Sequence, residues 1–168
     1  MKKIAIDACS VILLAKATIL ETFSKKYNLF ATEKVYKEIL EGKDKKFADA
    51  LLTERLVKEQ KINVANVVNN DLIKKLMADF NLGIGEAETL VLVLEKQCEI
   101  IVTDNRQGRK AALIYGLNLV GSVDVLIALH KLSLIDRDKA VNGLKRLKEF
   151  GWFQDYLIDI AMEEVKNA

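Results

Sequence analysis

The chain predicts an α/β fold with a mainly parallel central sheet and helices on both of its sides. Two observations carry this. Short contiguous apolar runs, above all Ile4-Ala5-Ile6 and Ile100-Ile101-Val102, read as strands covered on both faces, as parallel strands are. Between these runs lie longer segments with helical apolar spacing, and strands separated by helices form crossover units rather than hairpins.

With no proline and only 8 glycines, polar clusters and glycine mark the boundaries. Residues 3–7 read as a buried strand and 10–26 as a helix, with Ser10 as N-cap and Leu13, Leu14, Ala17 and Leu20 on one face. Leu29-Phe30-Ala31 is a second strand. Thr32 caps a helix over 33–41 that carries Val35, Ile39 and Leu40, and Gly42 stops it. A further helix covers roughly 45–57, and Ile62 to Val68 is extended. A helix from about 70 to 80 ends near Asn81-Leu82-Gly83, and Gly85 opens the next, whose residues 86–97 bury Ala87, Leu90, Val91 and Leu94. Residues 99–103 form a strand and 106–115 a helix that Gly116 ends. Leu117 to Val120 is a strand, Ser122 starts a helix to about 132, and two helices near 137–149 and 153–166 follow.

At 168 residues the chain fits one domain with a real core, and the C-terminal helices from about 137 either pack on it or form a partner surface with Trp152, Phe153 and Tyr156. A net charge of +2 is too small to mark a nucleic-acid binder by itself, although Lys43-Asp44-Lys45-Lys46 and Arg106-Gln107-Gly108-Arg109-Lys110 are basic clusters able to meet phosphates. Cys9 and Cys98 lie in apolar settings without zinc spacing, as buried thiols of a reducing cytoplasm do. Lys2-Lys3, the apolar run and Ala15-Lys16-Ala17 resemble a secretion signal, but Asp7 inside that run argues against one. No apolar stretch is long enough to span a bilayer, so a cytoplasmic location without membrane contact is expected.

Chemistry concentrates in the acids. In a parallel sheet ligands bind beyond the carboxyl ends of the strands, and Asp7 and Asp104 each follow an apolar run directly. A lone Asp there commonly caps a helix or starts a turn; two in one chain point to a site. Glu86 and Glu88 stand at the start of a helix, where the macrodipole favours negative charge, and their spacing turns them to different directions, so one of them is expected to face the sheet edge. Glu38 lies on or beside the apolar face of its helix. Two carboxylates ~4 Å apart at an effective dielectric of ~20 repel by about 4 kcal/mol, so a converging set needs a cation. Oxygen ligands without His or Cys favour Mg²⁺ or Mn²⁺ over zinc. His130, the only histidine, reads as structural or exposed.

In order, Ile6-Asp7-Ala8-Cys9-Ser10, Val35-Tyr36-Lys37-Glu38, Gly83-Ile84-Gly85-Glu86-Ala87-Glu88, Thr103-Asp104-Asn105 and Gly121-Ser122 resemble the PIN domain, and within it the branch related to VapC-type toxins with a Gly-Glu-Ala-Glu motif. The resemblance covers about residues 4–126. It implies a PIN-like α/β/α sandwich and a metal-dependent endoribonuclease of a toxin–antitoxin pair. Asp7, Glu38, Glu88 and Asp104 match its catalytic acids, Glu86 belongs to the branch motif as a further metal ligand, and Ser10 matches a supporting small polar residue. Asn105 stands where many relatives have a second Asp, and Asp124 where the branch usually has a small residue. The chemistry implied is hydrolysis of RNA by a metal-activated water, with Arg109 and Lys110 on the phosphate backbone. RNA, an antitoxin and a second copy in a homodimer are the expected partners. Two other readings compete. A haloacid-dehalogenase-like phosphatase needs a second Asp where Cys9 stands, and a PIN-like RNA-binding or regulatory module with weak catalysis finds its support in Asn105.

Overall fold

The computed structural model describes residues 1–42 and 47–168, so the Lys43-Asp44-Lys45-Lys46 cluster and the predicted start of a helix at 45 lie outside the described residues. The elements run β1 (Lys3–Ile6), α1 (Ala8–Lys16), α2 (Leu20–Lys26), β2 (Asn28–Thr32), α3 (Glu33–Leu40), α4 (Ala48–Lys58), β3 (Ile62–Ala65), α5 (Asn70–Phe80), α6 (Ile84–Lys96), β4 (Ile100–Val102), α7 (Arg106–Ile114), β5 (Leu119–Val120), α8 (Ser122–Lys131), α9 (Arg137–Phe150) and α10 (Asp155–Asn167). The strands form one parallel sheet in the order β3-β2-β1-β4-β5.

The period-2 alternation of strand side chains divides the interior into two layers. Ile4 and Ile6 of β1 join Leu14, Leu20, Leu126, Leu144 and Leu147 on one side, with the helices α1, α2, α8 and α9. Ala5 of the same strand faces Leu76, Leu90, Val91 and Ala111 of α5, α6 and α7 on the other. The result is an α/β/α sandwich. From β1 the chain steps outward through β2 and β3, then crosses to the opposite side of β1 to lay down β4. The strand order therefore reverses between β1 and β4, where Ile6 pairs with Val102, and a crevice opens beyond their carboxyl ends.

Four details differ from the expectations. The helix over 10–26 is two helices: Thr18 takes a left-handed φ of 63°, which closes α1 and turns the chain so that Ile19, Leu20 and Phe23 are all buried. The apolar spacing continues across the break, so periodicity cannot show it. The N-cap of α1 is Asp7, whose side chain accepts from the Ser10 amide, and Ser10 lies one turn inside the helix. Leu94 is exposed although Leu90, Val91, Leu92 and Val93 before it are buried, and Cys9 is exposed while Cys98 is buried. Among the described residues no helix is long and apolar enough to cross a membrane.

Candidate functional site

Asp7 ends β1 and caps α1, and the two tasks bury it: its side chain is only 3% exposed. Its Oδ1 accepts from the Ser10 amide at 2.8 Å, while its Oδ2 is buried and has no hydrogen-bond partner among the described residues. Burial pushes the carboxyl up to about 6 from an ordinary 3.8; the charge of Asp104 adds to this, and Thr103 and Ser10 pull the other way. A buried carboxylate oxygen left unpaired is costly, and such an atom at a strand end calls for a partner that the described residues do not supply.

Asp104 sits across from it at the end of β4, half-buried and fully held. Its Oδ1 accepts from the Ser122 amide at 2.9 Å. Its Oδ2 accepts from the Ser10 hydroxyl at 2.8 Å and from the Ser122 hydroxyl. Ser10 thus ties the two strand ends together, its amide on Asp7 and its hydroxyl on Asp104. This is possible because Asp7, not Ser10, caps the helix. Ser122 was not singled out from the sequence as a site residue; the signal for it was its place directly after the β5 run in Gly121-Ser122, where a helix start offers both an amide and a hydroxyl.

The other acids approach from α3 and α6. Glu38 lies against the backbone of Gly85, so closely that a Cβ on Gly85 would stand 2.8 Å from Oε1 of Glu38. Glycine in the Gly-Glu-Ala-Glu stretch is therefore a cradle for the neighbouring acid. Burial, with the charges of Glu86, Glu41 and Glu88, raises the Glu38 carboxyl against the pull of Lys34. Glu86 closes the start of α6, accepting from the Gly83 amide at 2.6 Å, and its other oxygen accepts from the Asn105 side-chain amide at 3.0 Å. Glu88 lies two residues further along α6, turned to a different side of the helix, and accepts no hydrogen bond among the described residues. The charges of Glu86 and Glu88 both fall on Glu38, and that of Glu86 also falls on Cys9. Desolvation and the charges of Asp7, Asp104 and Glu86 push the Cys9 thiol up to about 12, so at the rim of this crevice it stays protonated.

Arg109 donates to the Thr103 carbonyl at 3.0 Å, which stiffens the backbone carrying Asp104, and Lys110 is exposed beside it. Asp124 accepts from the Gly121 amide at 2.7 Å and so closes the start of α8. His130 meets the Ile135 carbonyl at 3.2 Å, away from the acids, in a structural position.

Among the described residues no three acid, cysteine or histidine side chains stand close enough together to hold a metal ion as placed. The donor chemistry nevertheless fits a hard divalent cation: oxygen donors, a buried carboxylate oxygen without a partner, and repelling acids around one crevice. A parallel sheet with acids at its switch point is the setting of a ligand-binding or hydrolytic site. This chain belongs to the PIN domain family, since the family model DUF3368, a PIN domain, matches residues 3–166. PIN domains are generally nucleases and typically use divalent metals. The crystal structure of PAE2754 from Pyrobaculum aerophilum has a similar fold, with a TM-score of 0.51 and 14% identity, over 77% of this chain and 96% of that one. At that identity the likeness speaks for the fold alone. No curated protein matches the chain.

Proposed function

We propose that the protein is a divalent-metal-dependent endoribonuclease that hydrolyses RNA phosphodiester bonds. The observation that carries the reading is the buried, unpartnered Oδ2 of Asp7 beside Asp104 at the strand-order reversal of a PIN domain. Asp7 and Asp104 are the residues that would hold Mg²⁺ or Mn²⁺, with Glu38, Glu86 and Glu88 supplying further negative charge from α3 and α6. A bound cation of this kind supplies an activated water and offsets charge in the transition state. The chain's own contribution is placement. Ser10 and Ser122 fix the carboxylate of Asp104, Asn105 holds Glu86, Gly85 leaves room for Glu38, and the exposed Lys110 offers a cation to the phosphate backbone.

Similarity to VapC-type toxins in the Gly-Glu-Ala-Glu stretch supports a role as the toxin of a toxin–antitoxin pair acting as a homodimer. A second reading, a PIN-like RNA-binding module with weak catalysis, draws on Asn105, whose amide occupies an oxygen of Glu86 that an Asp would leave free. One measurement separates the two. With Mn²⁺ or Mg²⁺ the purified protein is expected to cut RNA, with Asp7→Asn and Asp104→Asn each at least about a hundredfold slower, the scale of loss when a transition-state interaction is removed. Cleavage that is absent, or equal in the wild type and Asp7→Asn, sinks the nuclease reading.

A further inference from the structure

Beside Asp104 a cavity of about 610 Å³ opens between α7, α8 and α10. Its size suits a ligand of nucleotide scale. Leu113, Ile127, Phe153 and Leu157 make its floor apolar, and one wall, on α7, carries Arg106, Arg109 and Lys110. Arg106 and Lys110 are exposed and form no ion pair among the described residues. The acids on the other walls are engaged: Asp124 closes the start of α8, and Glu164 pairs with Lys131.

At the mouth stands Trp152, the chain's one tryptophan, 104% exposed. Its outward position is built in. A Cβ on Gly151 would lie 2.3 Å from the Phe153 ring and 2.9 Å from the Leu147 carbonyl, so glycine lets the chain fold Phe153 back toward the core and leaves Trp152 in solvent. A fully exposed tryptophan, in the same cavity as cations without an ion pair among the described residues and a candidate catalytic acid, has the makings of a single-strand binding site: an aromatic face for a base and cations for its phosphates.

We propose that this groove is a subsite for an unpaired nucleotide next to the scissile phosphate, with its base stacked on Trp152 and its backbone held by Arg106 and Lys110. The subsite rests on the nuclease reading above and takes a base that lies outside a duplex, because a base within a duplex has both faces covered by its stacked neighbours. With one tryptophan in the chain, emission excited to the red of tyrosine absorption reports on this position alone.

In EDTA, a short single-stranded oligoribonucleotide is expected to quench Trp152 emission saturably, and a blunt RNA duplex of equal length to leave it unchanged. By anisotropy of labelled oligonucleotide, Trp152→Ala is expected to bind about tenfold more weakly, on the scale of one base–aromatic stack. Trp152→Phe should retain most of the affinity, and Arg106→Gln with Lys110→Gln should flatten the salt dependence. In Mn²⁺, Trp152→Ala should raise KM with kcat held, the mark of lost uniform binding. Asp7-dependent cleavage with unaltered binding in Trp152→Ala overturns the subsite and leaves the nuclease reading intact. RNA neither bound nor cut overturns both. Trp152 emission that shifts on dilution of the free protein shows a second copy covering the groove, and emission unmoved by bound single strand leaves it to a protein partner; either result overturns the subsite.

Discussion

Asp7 carries a conflict that sets its chemistry. Burial makes its charge costly, capping and the crevice make its carboxylate useful, and its folded pKa of about 6 stands above the ordinary 3.8. Between those values the unfolded chain has lost the proton and the folded protein keeps it, so without divalent cations stability falls as pH rises from about 4 to about 6 and is level beyond. The gap corresponds to about 3 kcal/mol. Asp7→Asn keeps a capping oxygen and removes the ionisation, so at neutral pH in EDTA it is expected to be more stable than the wild type by about 2–3 kcal/mol in urea unfolding, with a flatter pH profile. Equal stability of the two at neutral pH would mean that the buried charge is already compensated. That Asp7 lies at a strand end was legible in the apolar run before it; that its Oδ2 has no partner was not, because that depends on what the distant Asp104, Thr103 and Ser122 do with their own groups.

Among the elements, α6 and α7 are joined at the site by one hydrogen bond, from the Asn105 amide to Glu86, while Asn105 also caps α7 by accepting from the Gly108 amide at 2.8 Å. Asn105→Asp keeps the cap and sets a second carboxylate against Glu86. In divalent-free buffer this is expected to lower stability by about 1–3 kcal/mol, and Mn²⁺ should recover most of the loss by binding the folded state. Thermal unfolding with and without Mn²⁺ reads both; a variant as stable as the wild type in EDTA would show that the two side chains simply separate. The helices here were legible because each carries its own signal: Thr32 caps α3, Asn81 ends α5 in a left-handed conformation, and Gly116 at φ +67° follows α7. The break between α1 and α2 was not, since it answers to the fit of Ile19 and Leu20 into the core rather than to a local breaker.

At the scale of the whole molecule, the C-terminal helices share the interior of the sheet's first layer: Leu144, Leu147, Ala161 and Val165 belong to the same cluster as Ile4 and Ile6. Leu147→Ala is therefore expected to cost about 2–5 kcal/mol in urea unfolding, and the exposed Ile160→Ala to stay within about 0.5 kcal/mol. A small loss at Leu147 would mean that α9 contributes little to the common core. Tyr156 and Ile160 of α10 are exposed, as is Trp152 in the link between α9 and α10. Taken alone, the sequence determined the alternation of strands and helices, the parallel sheet and the acids at its carboxyl edge, because apolar runs, helical spacing and caps act within a few residues. Tertiary structure alone decided which oxygens are satisfied and which is orphaned, how Gly85 receives Glu38, and that Trp152 stands free beside Asp104. Those outcomes depend on side chains from distant segments meeting across the crevice, and residue spacing along the chain carries no record of such meetings.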